Sequence, residues 1–187
     1  MQVSGPGTWR HTRAAGVHAL FVVLSVALLA GCGSLPLPRT YDESLLIIPV
    51  EANRSASSAW RISSYRVEIA FEGGEQRRYG FPATASYLAI PMPPGRHTLR
   101  SVWVAFRQQD GDGTRQDRVI SARALLVEAL QVEIWDRTAV VREGDVLYAS
   151  DRRTGSDTRD EVVEAIRRDR RWAAWETHNR IGFPAGE

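Results

Sequence analysis

Cys32 is the only cysteine in the 187 residues. It closes an apolar run, Leu28-Leu29-Ala30-Gly31-Cys32-Gly33-Ser34, and with no second thiol in the chain its covalent chemistry has to be with another molecule. The other residues that could do chemistry are few. Asp110-Gly111-Asp112-Gly113 opens like a calcium loop, but an EF-hand needs a further oxygen ligand two residues on and a bidentate glutamate at its twelfth place. Thr114 and Ser121 stand there, so the stretch reads as a hairpin turn and no metal site is assigned. His97 and His178 lack the close spacing of a zinc pair, and His97 reads as an exposed residue at a strand end. Neither a Gly-x-Ser-x-Gly elbow nor a glycine-rich phosphate loop occurs, so no catalytic residue and no cofactor is assigned. One cluster stands out, Arg167-Arg168-Asp169-Arg170-Arg171-Trp172-Ala173-Ala174-Trp175. Guanidinium forks hold phosphate or carboxylate, and Trp suits the border of an apolar and a wet surface. Arg167, Arg168, Arg170, Arg171, Trp172 and Trp175 are therefore a candidate surface for anionic lipid headgroups, polysaccharide or an envelope protein. The plainer reading is a solvated arginine face, with Trp172 buried and Trp175 partly so.

The residues ahead of Cys32 fall into three zones. Residues 1–13 carry Arg10, His11 and Arg13 and no acid; Ala19 to Ala30 is apolar except for Ser25; Ala30 and Gly31 are small. A basic start, a short apolar core and a small-residue exit make a secretory signal peptide. A membrane-spanning helix needs about 20 apolar residues, which this run reaches only by counting back through His18 to Ala14, so a retained anchor helix is the weaker reading.

Leu29-Ala30-Gly31-Cys32 resembles the lipobox of bacterial lipoproteins. The resemblance implies that a dedicated peptidase recognises Leu29, Ala30 and Gly31 and cuts before Cys32. It also implies that Cys32 carries diacylglycerol and that the freed amine takes a further acyl chain such as palmitate. One chain holds a protein to a bilayer only marginally, and two or three hold it firmly. Gly33 in place of aspartate implies, in a host with two membranes, outer-membrane residence facing the periplasm.

Removing residues 1–31 leaves 22 of the 24 basic residues, all arginine, against 22 acids. That balance gives no footing for a nucleic-acid partner. The remaining chain is long enough for one domain with its own core. Residues 32–44, with Pro36 and Pro38, read as an extended lipidated tether. Residues 45–151 read as short strands. Leu45 to Glu51 is a buried strand in which Pro49 marks an edge or a bulge. Tyr65, Val67, Ile69 and Phe71 alternate with Arg66, Glu68 and Glu72, the period of a half-buried strand. A three-residue loop, Glu72-Gly73-Gly74, then sets Val67 opposite Tyr79, Tyr65 opposite Phe81 and Glu68 opposite Arg78, with Gly74 left-handed. A two-residue loop would put arginine on the apolar face. Further strands follow at Tyr87–Ile90, Thr98–Arg107, around Arg118, at Arg123–Leu130, through Leu130, Val132 and Ile134, and at Ala139–Val141 and Val146–Ala149. Turns fall at Pro93-Pro94-Gly95, Asp110–Gly113 and Glu143–Asp145.

Residues 152–176 read as a helix. Thr158 and Glu161 form a capping box, and Val162, Ala165, Ile166, Trp172 and Ala173 share one face, which Asp169 interrupts. Trp103 is the residue this helix would cover, and 177–187 reads as a flexible tail. The sum is a mainly all-β chain: an antiparallel β-sandwich of about seven to eight short strands with one C-terminal α-helix. Pro93-Pro94-Gly95-Arg96-His97-Thr98-Leu99 and Glu143-Gly144-Asp145-Val146-Leu147-Tyr148-Ala149-Ser150-Asp151 resemble the turn patterns of transthyretin-like, carboxypeptidase-regulatory-like sandwiches. That likeness implies a non-enzymatic domain. The expected function is a lipid-anchored binding or scaffold module of the cell envelope. An accessory or pilot lipoprotein of a secretion or surface-assembly machine, and an envelope hydrolase with a dispersed site, are the alternatives.

Overall fold

A computed structural model describes residues 35–176, apart from Ser121, Asp145 and Val146, and the backbone of Arg180–Gly182. Cys32, its three preceding recognition residues and His178 lie outside the described residues.

Strand β1 (Ser44–Asn53) organises the fold. Successive side chains of a strand point to opposite faces, and here both faces are apolar. Leu46, Ile48 and Val50 join one hydrophobic cluster, Leu45 and Ile47 another. An unbroken aliphatic run is thus a strand covered on both sides. On one edge β1 pairs antiparallel with β4 (Tyr87–Met92). On the other its first half runs parallel to β8 (Gln131–Ile134) and its second half parallel to β9 (Arg137–Arg142). β10 (Tyr148–Arg153) adds to β9, and β11 (Arg180–Gly182) adds in parallel to β8. Part of the segment read as a flexible tail is therefore a sheet edge.

Pro49 lies in the centre of this sheet, not at an edge or a bulge. The Val50 N–H donates to Ser86 O at 2.9 Å, toward β4, and the Trp135 N–H to Ile47 O at 2.8 Å on the opposite side. Backbone polar groups alternate along a strand, so the missing Pro49 N–H falls on the β8/β9 side. The register with β8 ends at Ile47 and that with β9 begins at Val50. The proline occupies the gap, where no ladder bond is lost.

The second sheet is antiparallel throughout, in the order β3 (Gln76–Pro82), β2 (Trp60–Ala70), β5 (Gly95–Gln108), β6 (Thr114–Ile120), with β7 (Arg123–Val127) on the first half of β5. The β2–β3 hairpin has the expected register: Val67 faces Tyr79, Tyr65 faces Phe81 and Glu68 faces Arg78. Gly73 and Gly74 both take positive φ, 95° and 88°, which a side chain would resist. Asp110–Gly113 caps the β5–β6 hairpin. Leu130, read as a strand residue, instead has φ 60° in the turn that carries the chain from β7 to β8. The two sheets close over a core that includes Tyr65, Val67, Ile69, Val102, Val104 and Phe106 from the second and Leu46, Ile48 and Ile90 from the first. The result is a β-sandwich with eleven strands among the described residues.

Helix α1 (Ser156–Arg168) lies on the outer face of the first sheet, where Val162 and Ile166 meet Leu45, Ile47, Val132 and Ile134. It covers that sheet, and Trp103 belongs to the outer face of the other. Its cap also differs from the capping box: Gly155 is the N-cap, with no side-chain cap bond, and Thr158 is already helical. The start is fixed one residue earlier. Thr154 donates its N–H to Asp136 O at 2.7 Å and its hydroxyl to Trp135 O at 3.0 Å, which pins the chain to the sheet as it leaves β10.

Burial in the core has a titratable consequence. Tyr65 is 1% exposed, and its hydroxyl has no hydrogen-bond partner among the described residues. Burial pushes its pKa from 10.0 up to about 12. The unfolded chain therefore loses this proton first as the medium becomes alkaline. Stability is full below pH 10 and falls as pH rises toward 12, by about 2 kcal/mol from this residue. Denaturant titrations at stepped alkaline pH are expected to show that slope, and Tyr65→Phe is expected to flatten it without a loss of stability at pH 7.

Candidate functional site

The C-terminal cluster is divided by the structure into a clamp and a rim. The clamp begins where α1 stops. Asp169 is its C-cap, and both carboxylate oxygens accept backbone N–H groups: Oδ1 from Arg171 at 2.8 Å and Oδ2 from Leu35 at 2.8 Å. Arg171 Nη1 donates to Leu35 O at 3.0 Å, and Trp175 Nε1 to Pro36 O at 2.7 Å. Leu35 and Trp175 are both fully buried, in the apolar layer between α1 and the first sheet. The segment read as a loose tether is therefore seated in the domain from Leu35 onward.

The order of the two tryptophans is reversed from the sequence reading. Trp175 is buried, and Trp172 only half-buried against the same cluster. The reason is geometric: the helix ends at Arg168, and a 3-10 turn, Trp172–Ala174, follows, so a helical period cannot be carried through Asp169. Ala173, placed on the apolar face, is exposed. The rim consists of Arg167, Arg168 and Arg170, all exposed, with Arg168 ion-paired to Glu164. Of the six candidate binding residues, Arg171, Trp172 and Trp175 hold the fold, and three arginines remain at the surface.

A second place was not assigned from the sequence. The outward residues of β2, β3, β5 and β6 meet in one row, Gly80, Arg66, Trp103 and Arg118, fixed by the strand register. The guanidinium carbons of Arg118 and Arg66 lie 4.9 and 5.8 Å from the Trp103 ring centroid, within cation–π range. The Trp103 indole N–H donates to Ser101 Oγ at 2.8 Å, and Ser101 Oγ donates to Glu68 Oε2 at 3.0 Å. Glu68 Oε1 takes Arg78 Nε at 3.1 Å and Arg66 Nε at 3.6 Å. Beside this network is an open hollow of about 220 Å³, lined by Arg66, Arg78, Gly80, Trp103 and Gln116 among others. The alternation of Arg66 and Glu68 was the available signal; Trp103 was passed over because it was assigned to the helix.

Pro93-Pro94-Gly95 joins two strands as expected, but those strands belong to different sheets. The crossover is pinned to the β2–β3 turn. Glu72 Oε2 accepts the Arg96 N–H at 2.9 Å, His97 Nδ1 accepts the Glu72 N–H at 3.2 Å, and His97 Nε2 lies 2.8 Å from Pro93 O. With Nδ1 accepting, Nε2 carries the proton. His97 is 5% exposed, its ring 5.1 Å from that of Phe71, which corrects its reading as a surface residue. Gly95 has φ 134°, and a Cβ there would meet Glu72 Oε2 at 2.7 Å.

Among the described residues no group of three or more His, Cys, Asp or Glu could hold a metal ion, and no helix is long and apolar enough to cross a membrane. Glu133 is a buried acid whose carboxyl burial raises above the ordinary range. In comparisons with known proteins, the chain matches no family model, no curated sequence and no solved structure.

Proposed function

We propose that the chain is a lipid-anchored envelope protein that works by binding or holding rather than by catalysis. The anchor is acylated Cys32, released from its leader by a cut after Gly31. The reading rests on the lipobox-like Leu29-Ala30-Gly31-Cys32, and the observation that carries it into the fold is the clamp on Leu35. Only Gly33 and Ser34 separate Cys32 from Leu35, three residue steps with a reach of about 10 Å at full extension. A domain held so closely would lie at the lipid surface, with Arg167, Arg168 and Arg170 beside the anchored segment and suited to anionic headgroups. The likeness of the two turn phrases to transthyretin-like lipoprotein domains supports the non-enzymatic part. In a two-membrane host, Gly33 favours the outer membrane.

Intact-mass and peptide mass spectrometry of protein extracted from its host's membranes tests the anchor. The expected N-terminal peptide begins at Cys32 and carries diacylglycerol with a further acyl chain. A different first residue, or an unmodified thiol, would overturn the reading.

A further inference from the structure

We infer that the hollow beside Trp103 is a binding site for a small oxyanion, a phosphate or carboxylate borne on a body about the size of one ring. Charge is the first argument. Arg66 and Arg78 line the hollow and Arg118 lies over Trp103 beside it, and Glu68 is the only acid in the cross-strand rows that hold them. Glu68 is already committed, one oxygen to Arg78 and Arg66 and the other to Ser101. Among the described residues no other acid forms an ion pair with these three arginines.

Geometry is the second argument. Arg66 is held on two sides, Nη2 by Gln116 Oε1 at 3.2 Å and Nε near Glu68, while the same nitrogen Nε makes no hydrogen bond. Arg78 reaches Glu68 through Nε at 3.1 Å, and a guanidinium carries further donors, a fork of the kind that matches an oxyanion. The stacked Trp103 fixes the Arg118 guanidinium without using its N–H donors. Arg66, positioned in this way, loses little freedom on binding.

Shape is the third. Gly80 sits directly across from Arg66, and a Cβ built there meets nothing within 4 Å. A hollow of about 220 Å³ is smaller than the pockets that take drug-sized ligands. It suits a single headgroup. Arginines from both neighbouring strands lie over the Trp103 ring, so recognition is through guanidinium forks and not through a sugar stacked on the indole.

Calorimetric titration of the purified full chain with inorganic phosphate, glucose 6-phosphate and glucuronate tests the site and separates phosphate from carboxylate. Saturable 1:1 binding of at least one probe is expected, tightest for the anion on a ring. Arg78→Gln is expected to weaken it about tenfold or more. Gly80→Leu, which fills the hollow and removes no charge, is expected to weaken it as much. Unchanged circular dichroism and melting temperature would certify both variants as folded. No saturable heat into the millimolar range with any probe, or binding that Gly80→Leu leaves intact, overturns the proposal. Neither result depends on whether Cys32 is acylated.

Discussion

Trp175→Ala is expected to destabilise the domain by about 3–5 kcal/mol, the cost of emptying a large buried aromatic site. Trp175 is fully buried among Leu35, Leu45, Ile47, Val132 and Ile166, where β1, β8, α1 and the entering N-terminal segment meet. Its indole N–H also satisfies Pro36 O, so the substitution leaves a cavity and an unpaired carbonyl together. Equilibrium urea unfolding measures the loss. Hydrogen exchange at the Leu35 amide, which donates to Asp169 Oδ2, is expected to quicken by a larger factor than exchange in the β2–β3 hairpin, because that amide belongs to the damaged layer. Trp172→Ala removes a half-buried ring and is expected to cost less than half as much. A Trp175→Ala protein within 1 kcal/mol of the parent (~1.4 kcal/mol being tenfold in the equilibrium constant) would remove Trp175 as the keystone of that layer.

Cys32→Ala is expected to abolish incorporation of labelled palmitate and to leave a precursor heavier by the uncut leader. The effect is all-or-none because the chain holds a single thiol and each buried acyl methylene contributes about 0.8 kcal/mol to membrane attachment. The clamp makes a further demand on this experiment. Leu35 and Pro36 are seated in the domain, so the folded body of the variant is expected to keep the parent's melting temperature while its processing fails. Label retained by Cys32→Ala, or a product of the parent's size, would count against acylation at this position.

The parts of the fold that were legible in the sequence are those set by local pattern. The β2–β3 register follows from two facts available in the chain itself, the two-residue alternation from Tyr65 and a glycine, Gly74, placed to end the loop in the left-handed region. Together they admit one pairing that keeps arginine off the core. The existence of a buried β1 was legible in the same way. Its partners were not, because a strand that is apolar on both faces gives no preference for parallel or antiparallel neighbours, and its three partners, β4, β8 and β9, all come from distant parts of the chain. Pro49 illustrates the limit. A proline in a strand argues for an edge until the break between β8 and β9 is known. His97 was misread because its burial comes from the β2–β3 turn folding over it, a contact that no local window contains. The candidate anion hollow was half legible: Arg66, Glu68 and Arg78 face outward by pattern, but Trp103 and Arg118 join them only through the sheet order.

The placement of β1 also governs how the chain can acquire its structure. The first strand among the described residues pairs with Tyr87–Met92, Gln131–Ile134 and Arg137–Arg142 and with no segment near it in sequence. The β2–β3 hairpin can close on its own, whereas β1 has its full set of partners only once Arg142 has been made. Its aliphatic residues therefore stay exposed until those segments are made, a topology that folds slowly and late. For the exported chain proposed above, which would cross a membrane before folding, such delay would be an advantage.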